Sequence, residues 1–244
     1  MQGTTPLFSL FQPFPNIQVL LSEKKHGGMK IRYELEKDRE TLQNRKMFFT
    51  QHAISETSIV IAQLAQANAV AIVSQKDQGK YIPQTDGLLT NQKCVFLSVT
   101  VADCLPIYIY DPKENIIGLL HAGWKGLDKN IIKIAINLLK KTYRISSENL
   151  LIGIGPGIDT CHFTVQRDIL EKFSDYTTAI ERRNSKYFLN LKYIAQQQLM
   201  KEHILEEHIE ISPVCTYCEK NTYFSYRRDK HPILQAMVAS IGMR

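Results

Sequence analysis

The apolar residues of this chain come in short dense runs separated by polar, turn-forming segments. "NIQVLLSE", "VAIVSQ", "CVFLSVTV", "PIYIYD", "NIIGLLHA" and "NLLIGIGPGI" are rich in β-branched and aromatic residues and predict strands. Between them lie breakers such as "QKDQGKYIPQTDG" and "DPKEN". The nearly unbroken apolar character of the central runs predicts strands covered on both faces. Residues 36–52, "EKDRETLQNRKMFFTQH", hold good helix formers without Gly or Pro. In "LDKNIIKIAINLLKKTY", Leu127, Ile131, Ile134 and Leu138 recur at the spacing of a buried helical face. Residues 165–174 and 190–208 read as further helices, and "EISPVCTYCEKNTYFSYRRD" as strand, loop, strand. Strands and helices interleave without strict alternation, and no linker or repeat divides the chain. The expectation is one α/β or α+β domain with mixed sheets over residues 1–244.

Composition narrows the function classes. At 44% hydrophobic and 22% charged residues the chain is an ordinary globular one, not a disordered one. A net charge of +6 favours anionic ligands such as phosphate or nucleotides. The basic pairs are scattered and no nucleic-acid module is visible, so no nucleic-acid partner is expected. No apolar run reaches the roughly 18 residues of a membrane span, so no membrane partner is expected either. "MQGTTPLFSLFQPFP" does not read as a signal peptide. A cytoplasmic chain with its five cysteines reduced is the expectation.

The densest chemistry lies in residues 99–127, "VTVADCLPIYIYDPKENIIGLLHAGWKGL". Cys104 and His121 are separated by a strand, a turn and a returning strand. Adjacent strands lie about 4.8 Å apart, so the two side chains could meet at one sheet edge. Three readings stand open: two ligands of a zinc site, a thiolate activated by an imidazole, or two buried core residues. Asp103 adds a carboxylate that could orient a ligand or move a proton.

Other motifs are weaker. "GIGPG" lacks the G-x-G-x-x-G pattern and reads as a plain turn. "CTYC", with Cys215 and Cys218, has zinc or redox spacing, but no second pair or His cluster is near in sequence, so two buried thiols in a turn are expected. His203 and His208 sit on the last predicted helix, exposed. In "FSYRRD", one of Arg227 and Arg228 could fork a phosphate and the other pair with an acid. "KKHGG" puts Lys25 and His26 beside two glycines.

Taken together these pieces resemble the laccase-domain family of purine nucleoside phosphorylases, formerly called multicopper polyphenol oxidases, which includes the bacterial peptidoglycan-editing factor. "VADCLPIYIYD" and "LLHAGWKG" are similar to its strongest motifs; "KKHGG", "DRETLQNR", "TDGLLT", "IGPGI…CHFTV" and "CTYCEKNTYFSYRRD" are similar to its flanking ones. The resemblance implies a single compact α/β domain of layered mixed sheets and helices, in a cysteine-hydrolase-like α/β/β/α arrangement. It implies phosphorolysis of adenosine, inosine or methylthioadenosine, with adenosine deamination beside it, at a zinc bound by His, Cys and His. Cys104 matches the zinc cysteine and His121 the second zinc histidine. The first zinc histidine has no counterpart: Ala65, in "AQLAQANAVAIV", falls at its position, and only His26 or His52 precedes it as a substitute. Lys25 replaces the arginine of the family's turn, and Thr164 stands where many members carry a glutamate.

The expected enzyme thus uses Cys104, His121 and Asp103 in catalysis, with Lys25, Arg45 and Arg227 on phosphate. Two alternatives remain: a relative that has lost catalysis and binds nucleotides or a partner, and a Cys–His amidohydrolase acting on a peptidoglycan precursor. The sequence leaves the oligomeric state open.

Overall fold

The computed structural model describes residues 7–31, 38–230 and 234–244. The strands among them form three sheets. A five-stranded sheet runs in the order β1 (Ile17–Leu21), β14 (Met237–Met243), β6 (Phe96–Val101), β2 (Ile59–Ala62), β4 (Tyr81–Ile82). A six-stranded sheet runs β13 (Ile209–Ile211), β9 (Leu151–Ile154), β7 (Leu105–Asp111), β8 (Ile116–Ala122), β5 (Gly87–Thr90), β3 (Val70–Ile72). A small sheet of β10 (Thr164–Val165), β12 (Lys186–Leu189) and β11 (Ile180–Arg183) lies beside them. Both large sheets mix parallel and antiparallel pairs, as the irregular alternation of elements predicts.

Period-two alternation builds the layers. In β7, Leu105, Ile107 and Ile109 face one way and Tyr108 and Tyr110 the other. The tyrosines, with Ile117 and Leu119 of β8, meet Leu97, Val99, Met237, Ala239 and Ile241 of the five-stranded sheet. Tyr108 keeps its hydroxyl satisfied by donating to the Leu20 carbonyl at 2.9 Å. On the opposite face, Ile107 and Ile109 pack against α3 (Ile131–Tyr143) and α5 (Leu191–Lys201). Outside the five-stranded sheet, α1 (Arg39–Gln51) sets Phe48 and Phe49 against Ile59, Phe96 and Val238. The order is helix, sheet, sheet, helix, the α/β/β/α layering that the resemblance implies.

Several elements differ from the sequence expectation. The helix expected from residue 127 is two: α2 (Trp124–Asp128) and α3, parted where Asn130 adopts a left-handed φ of 57°. This break resets the helical phase. The buried face of α3 is Ile131, Ile132, Ala135, Ile136 and Leu139, while Ile134 and Leu138 are half-exposed. The helix expected at 165–174 shortens to α4 (Arg167–Glu171) behind β10. The helix expected at 190–208 stops at Lys201, so His203 and His208 lie beyond its end. The strand expected in "FSYRRD" is the helical turn α6 (Tyr226–Asp229), capped by the Ser225 hydroxyl, which accepts from the Arg228 amide at 3.1 Å. Of the helix expected at 36–52, residues 36 and 37 lie outside the described residues.

The phase of α3 is directly testable. Ile136→Ala should lower the stability by about 2–5 kcal/mol, the cost of a core truncation, and Ile134→Ala by much less. Urea denaturation of the two variants against the parent reads the difference.

Candidate active site

The β7–β8 register places the site. Leu105 pairs with Ala122 and Pro106 with His121, so Cys104, just before β7, faces Gly123, just after β8. A Cβ on Gly123 would come 2.7 Å from the Cys104 sulfur, so glycine is what lets the thiol lie across the strand end. His121 follows Ile117 and Leu119 on the inter-sheet face of β8, and its ring lies near enough to Cys104 to feel the charge of its sulfur. The two residues singled out by sequence thus lie together at the ends of β7 and β8, two interior strands of the sheet.

A third residue, missed at the sequence level, organises the pair. Asp86, fully buried just before β5, holds His121 Nδ1 at 3.1 Å from its Oδ1. The carboxylate also accepts from the successive amides of Ala65 at 3.3 Å, Gln66 at 3.0 Å and Ala67 at 2.9 Å. Gln66 takes a left-handed φ of 52°, which turns these amides toward one acceptor. Burial pushes the Asp86 carboxyl up, but the bonds from His121 and the amides hold it below its usual range. Burial alone would depress His121; the negative character of Cys104 and its bond to Asp86 outweigh that and raise its pKa to about 9. Its signal in the sequence is the single Asp of "TDGLLT", a turn motif in which a carboxylate does not stand out.

A catalytic zinc takes three protein donors. Cys104 and His121 supply two, and the side chain at Ala65 ends in a methyl. Among the described residues no further His, Cys, Asp or Glu donor joins them in a group of three. His26 and His52 do not move in: their rings each pack 5.0 Å from Phe48 of α1, and neither lines the cavity above the pair. The donors at this position do not fit a three-ligand zinc site.

That cavity has a volume of about 530 Å³, within the usual range for small-molecule sites. Leu64, Trp124 and Phe163 give it apolar walls, and Lys30, Arg45 and Arg227 bring cations to it. Arg227 is braced: its Nη1 donates to the Thr164 carbonyl and hydroxyl, both at 2.9 Å. Arg45 is buried, with Nη1 on the Met29 carbonyl at 3.1 Å and Nη2 on the Ser98 hydroxyl at 3.2 Å. Lys25 is not brought to the cavity; it pairs with Glu23 at 2.9 Å on the surface. Arg228 turns away and donates to the carbonyls of Thr216, Tyr217 and Tyr223 and to Asp229.

Asp103 lines the cavity, but its carboxylate is occupied. It accepts from the Thr216 hydroxyl at 2.7 Å, the Ser225 hydroxyl at 3.0 Å and the Arg227 amide at 2.7 Å. With a φ of 82°, rare for a residue with a Cβ, Asp103 is a bracket that fixes Arg227 beside Cys104. "GIGPG" departs from the plain turn expected: Gly153 and Ile154 end β9, and Gly157, in a parallel bridge with Cys215, packs against Leu105 and the Asp103 carbonyl. "CTYC" departs from expectation: Cys215 is buried, Cys218 is exposed, and Cys161 and His162 lie beside both.

The fold agrees with what this chain resembles among known proteins. The family model described as multi-copper polyphenol oxidoreductase laccase matches residues 21–244. Purine nucleoside phosphorylase YlmD of Bacillus subtilis is 30% identical over 221 residues, which span 86% of this chain and 79% of that protein. Purine nucleoside phosphorylase LACC1 of Homo sapiens is 28% identical over 174 residues, 67% of this chain and 38% of that longer protein. Among solved structures, YlmD from Geobacillus stearothermophilus superposes with a TM-score of 0.87 at 28% identity, over 96% of this chain and 94% of that one. The hypothetical protein YfiH of Bacillus licheniformis gives the same TM-score of 0.87 at 26% identity, over 93% of each chain. With a family model covering nearly its whole length, the chain belongs to the multi-copper polyphenol oxidoreductase laccase family.

Proposed function

We propose that this chain is a purine nucleoside phosphorylase, converting adenosine, inosine or methylthioadenosine and phosphate into the free purine and a pentose 1-phosphate. One observation carries the reading: a single cavity of nucleoside size joins the Asp86–His121–Cys104 chain to the guanidinium groups of Arg45 and Arg227. Relatives named as purine nucleoside phosphorylases support it.

In the proposed reaction a phosphate oxygen bonds to the anomeric carbon as the bond from that carbon to the purine nitrogen breaks. The electron pair leaves with the purine, which then takes a proton. His121, protonated at neutral pH and oriented by Asp86, supplies that proton. Arg227 and Arg45 hold the phosphate, and the apolar walls keep water from competing with it. The resemblance also implies zinc and adenosine deamination. Deamination requires an activated water at the purine ring, and the two donors do not fit the three-ligand zinc site that would activate it. The proposal is therefore confined to phosphorolysis. The methyl of Ala65 favours one second reading, a relative that binds nucleoside without turning it over.

Incubation with inosine or adenosine, with and without phosphate, should release free base and ribose 1-phosphate only when phosphate is present. Cys104→Ser should abolish the release. No release, while a bona fide phosphorylase in parallel is active, would replace the enzyme reading with the binding one. Arg227→Met keeps the amide that anchors Asp103 and should raise the KM for phosphate roughly 10–100-fold, the weight of a charge-assisted contact, with a smaller change for nucleoside.

The pH dependence follows from His121. In chelator-treated protein its imidazole should titrate near pH 9, and Asp86→Asn should lower that value. The raised pKa means that its contribution to stability is complete below about 6.5 and lost as the pH rises through about 9. Activity that depends on the imidazolium should fall over the same upper limb. NMR titration and a pH–rate profile measure both, and an imidazole titrating near 6.5 would remove His121 as the proton donor.

A further inference from the structure

Outside the cavity, two loops bring four metal-binding side chains to one point. Cys161 and His162 follow the glycine-rich segment after β9; Cys215 and Cys218 follow β13. Their donor atoms all lie within 4.8 Å of one another. The Cys161 sulfur is 3.5 Å from that of Cys215 and 3.6 Å from that of Cys218, and the Cys218 sulfur is 3.4 Å from His162 Nδ1.

We propose that Cys161, His162, Cys215 and Cys218 bind a structural zinc ion, a site separate from the Cys104–His121 cavity. Zinc bonds thiolate sulfur at about 2.3 Å and imidazole nitrogen at about 2.0–2.1 Å. A regular tetrahedron of those radii has S···S edges of about 3.8 Å and S···N edges of about 3.6 Å. The Cys161–Cys215, Cys161–Cys218 and Cys218–His162 separations match these edges to within a few tenths of an ångström. They are far from the roughly 2.05 Å of a disulfide, and a disulfide would leave one thiol and the imidazole unexplained. Three sulfurs and one nitrogen are a zinc donor set, not one for oxygen-seeking magnesium or calcium. With four protein donors the site is closed, which marks a structural rather than a catalytic ion.

The surroundings are built to hold the loops in register. Lys192, buried, donates to Asp159 Oδ2 on one loop and to the Val214 carbonyl on the other, both at 2.9 Å. Gly157 forms a parallel bridge with Cys215, and the Thr216 amide donates to the Gly157 carbonyl at 3.1 Å. The His162 ring stacks on Tyr217 with centroids 3.9 Å apart, which fixes its plane. Cys161 and Cys218 are exposed, which gives an ion a way in. The ion would also reach the cavity indirectly, because Thr216, between the two cysteines of "CTYC", is a donor to Asp103.

The test is metal content and cobalt spectroscopy on the full chain. Reduced protein loaded with Co²⁺ should show thiolate-to-cobalt absorption and the intense visible bands of tetrahedral cobalt. Purified protein should carry zinc at about one ion per chain, and the same amount in Cys104→Ala. The double variant Cys161→Ser/Cys218→Ser, changed only at exposed positions, should lose it, and chelation should lower the Tm of the parent but not of this variant. Absence of zinc and of the cobalt bands in the parent would overturn the proposal. So would metal that disappears with Cys104→Ala but survives the double variant, or an intact mass showing a disulfide among the three cysteines.

Discussion

The buried carboxylate of Asp86 is the interaction on which the site depends. An isolated ionised carboxylate in a protein interior is costly, and it persists only when its charge is met by donors. Here three successive amides and one imidazole meet it. The same contacts fold the loop at residues 65–67 onto the start of β5 and fix the His121 ring. Removing the carboxylate would release the loop, the ring and the charge on the ring together. The loop that carries Ala65 is therefore shaped by Asp86, whatever side chain stands at that position.

A second carboxylate does comparable work on the other wall. Asp103 spends its oxygens on Thr216, Ser225 and the Arg227 amide, so the loop after β13 and the turn α6 both hang from the end of the strand pair that carries Cys104. Arg227 is then braced by Thr164. A flexible arginine loses side-chain entropy when it grips an anion. One already held at both its backbone and its guanidinium has paid most of that in folding.

Much of this was legible in the sequence. The apolar runs marked β1, β3 and β6–β9, most plainly β6–β9, which are buried on both faces and have no polar alternation to mislead. The pairing of Cys104 with His121 was legible because one hairpin connects them. What escaped was of two kinds. The phase of α3 was lost at Asn130, since a single left-handed residue breaks a helix without altering its apolar count. The partners of "CTYC" and of His121 were lost because they come from distant strands: Cys161 and Asp86 reach their sites through sheet topology, which local spacing does not encode.

The sheet register links the core to the chemistry. Tyr108 and Tyr110 of β7 and Leu119 and His121 of β8 share one face by period two, and the cavity begins where that face leaves the inter-sheet core. A slip of one residue between β7 and β8 would turn His121 toward the helical layer and place a polar ring among Leu120, Ile132 and Ile136. The cost of burying that ring unpaired is what holds His121 beside Cys104. The core therefore does more than stabilise the fold: its packing specifies the one register in which thiol, imidazole and carboxylate come into line.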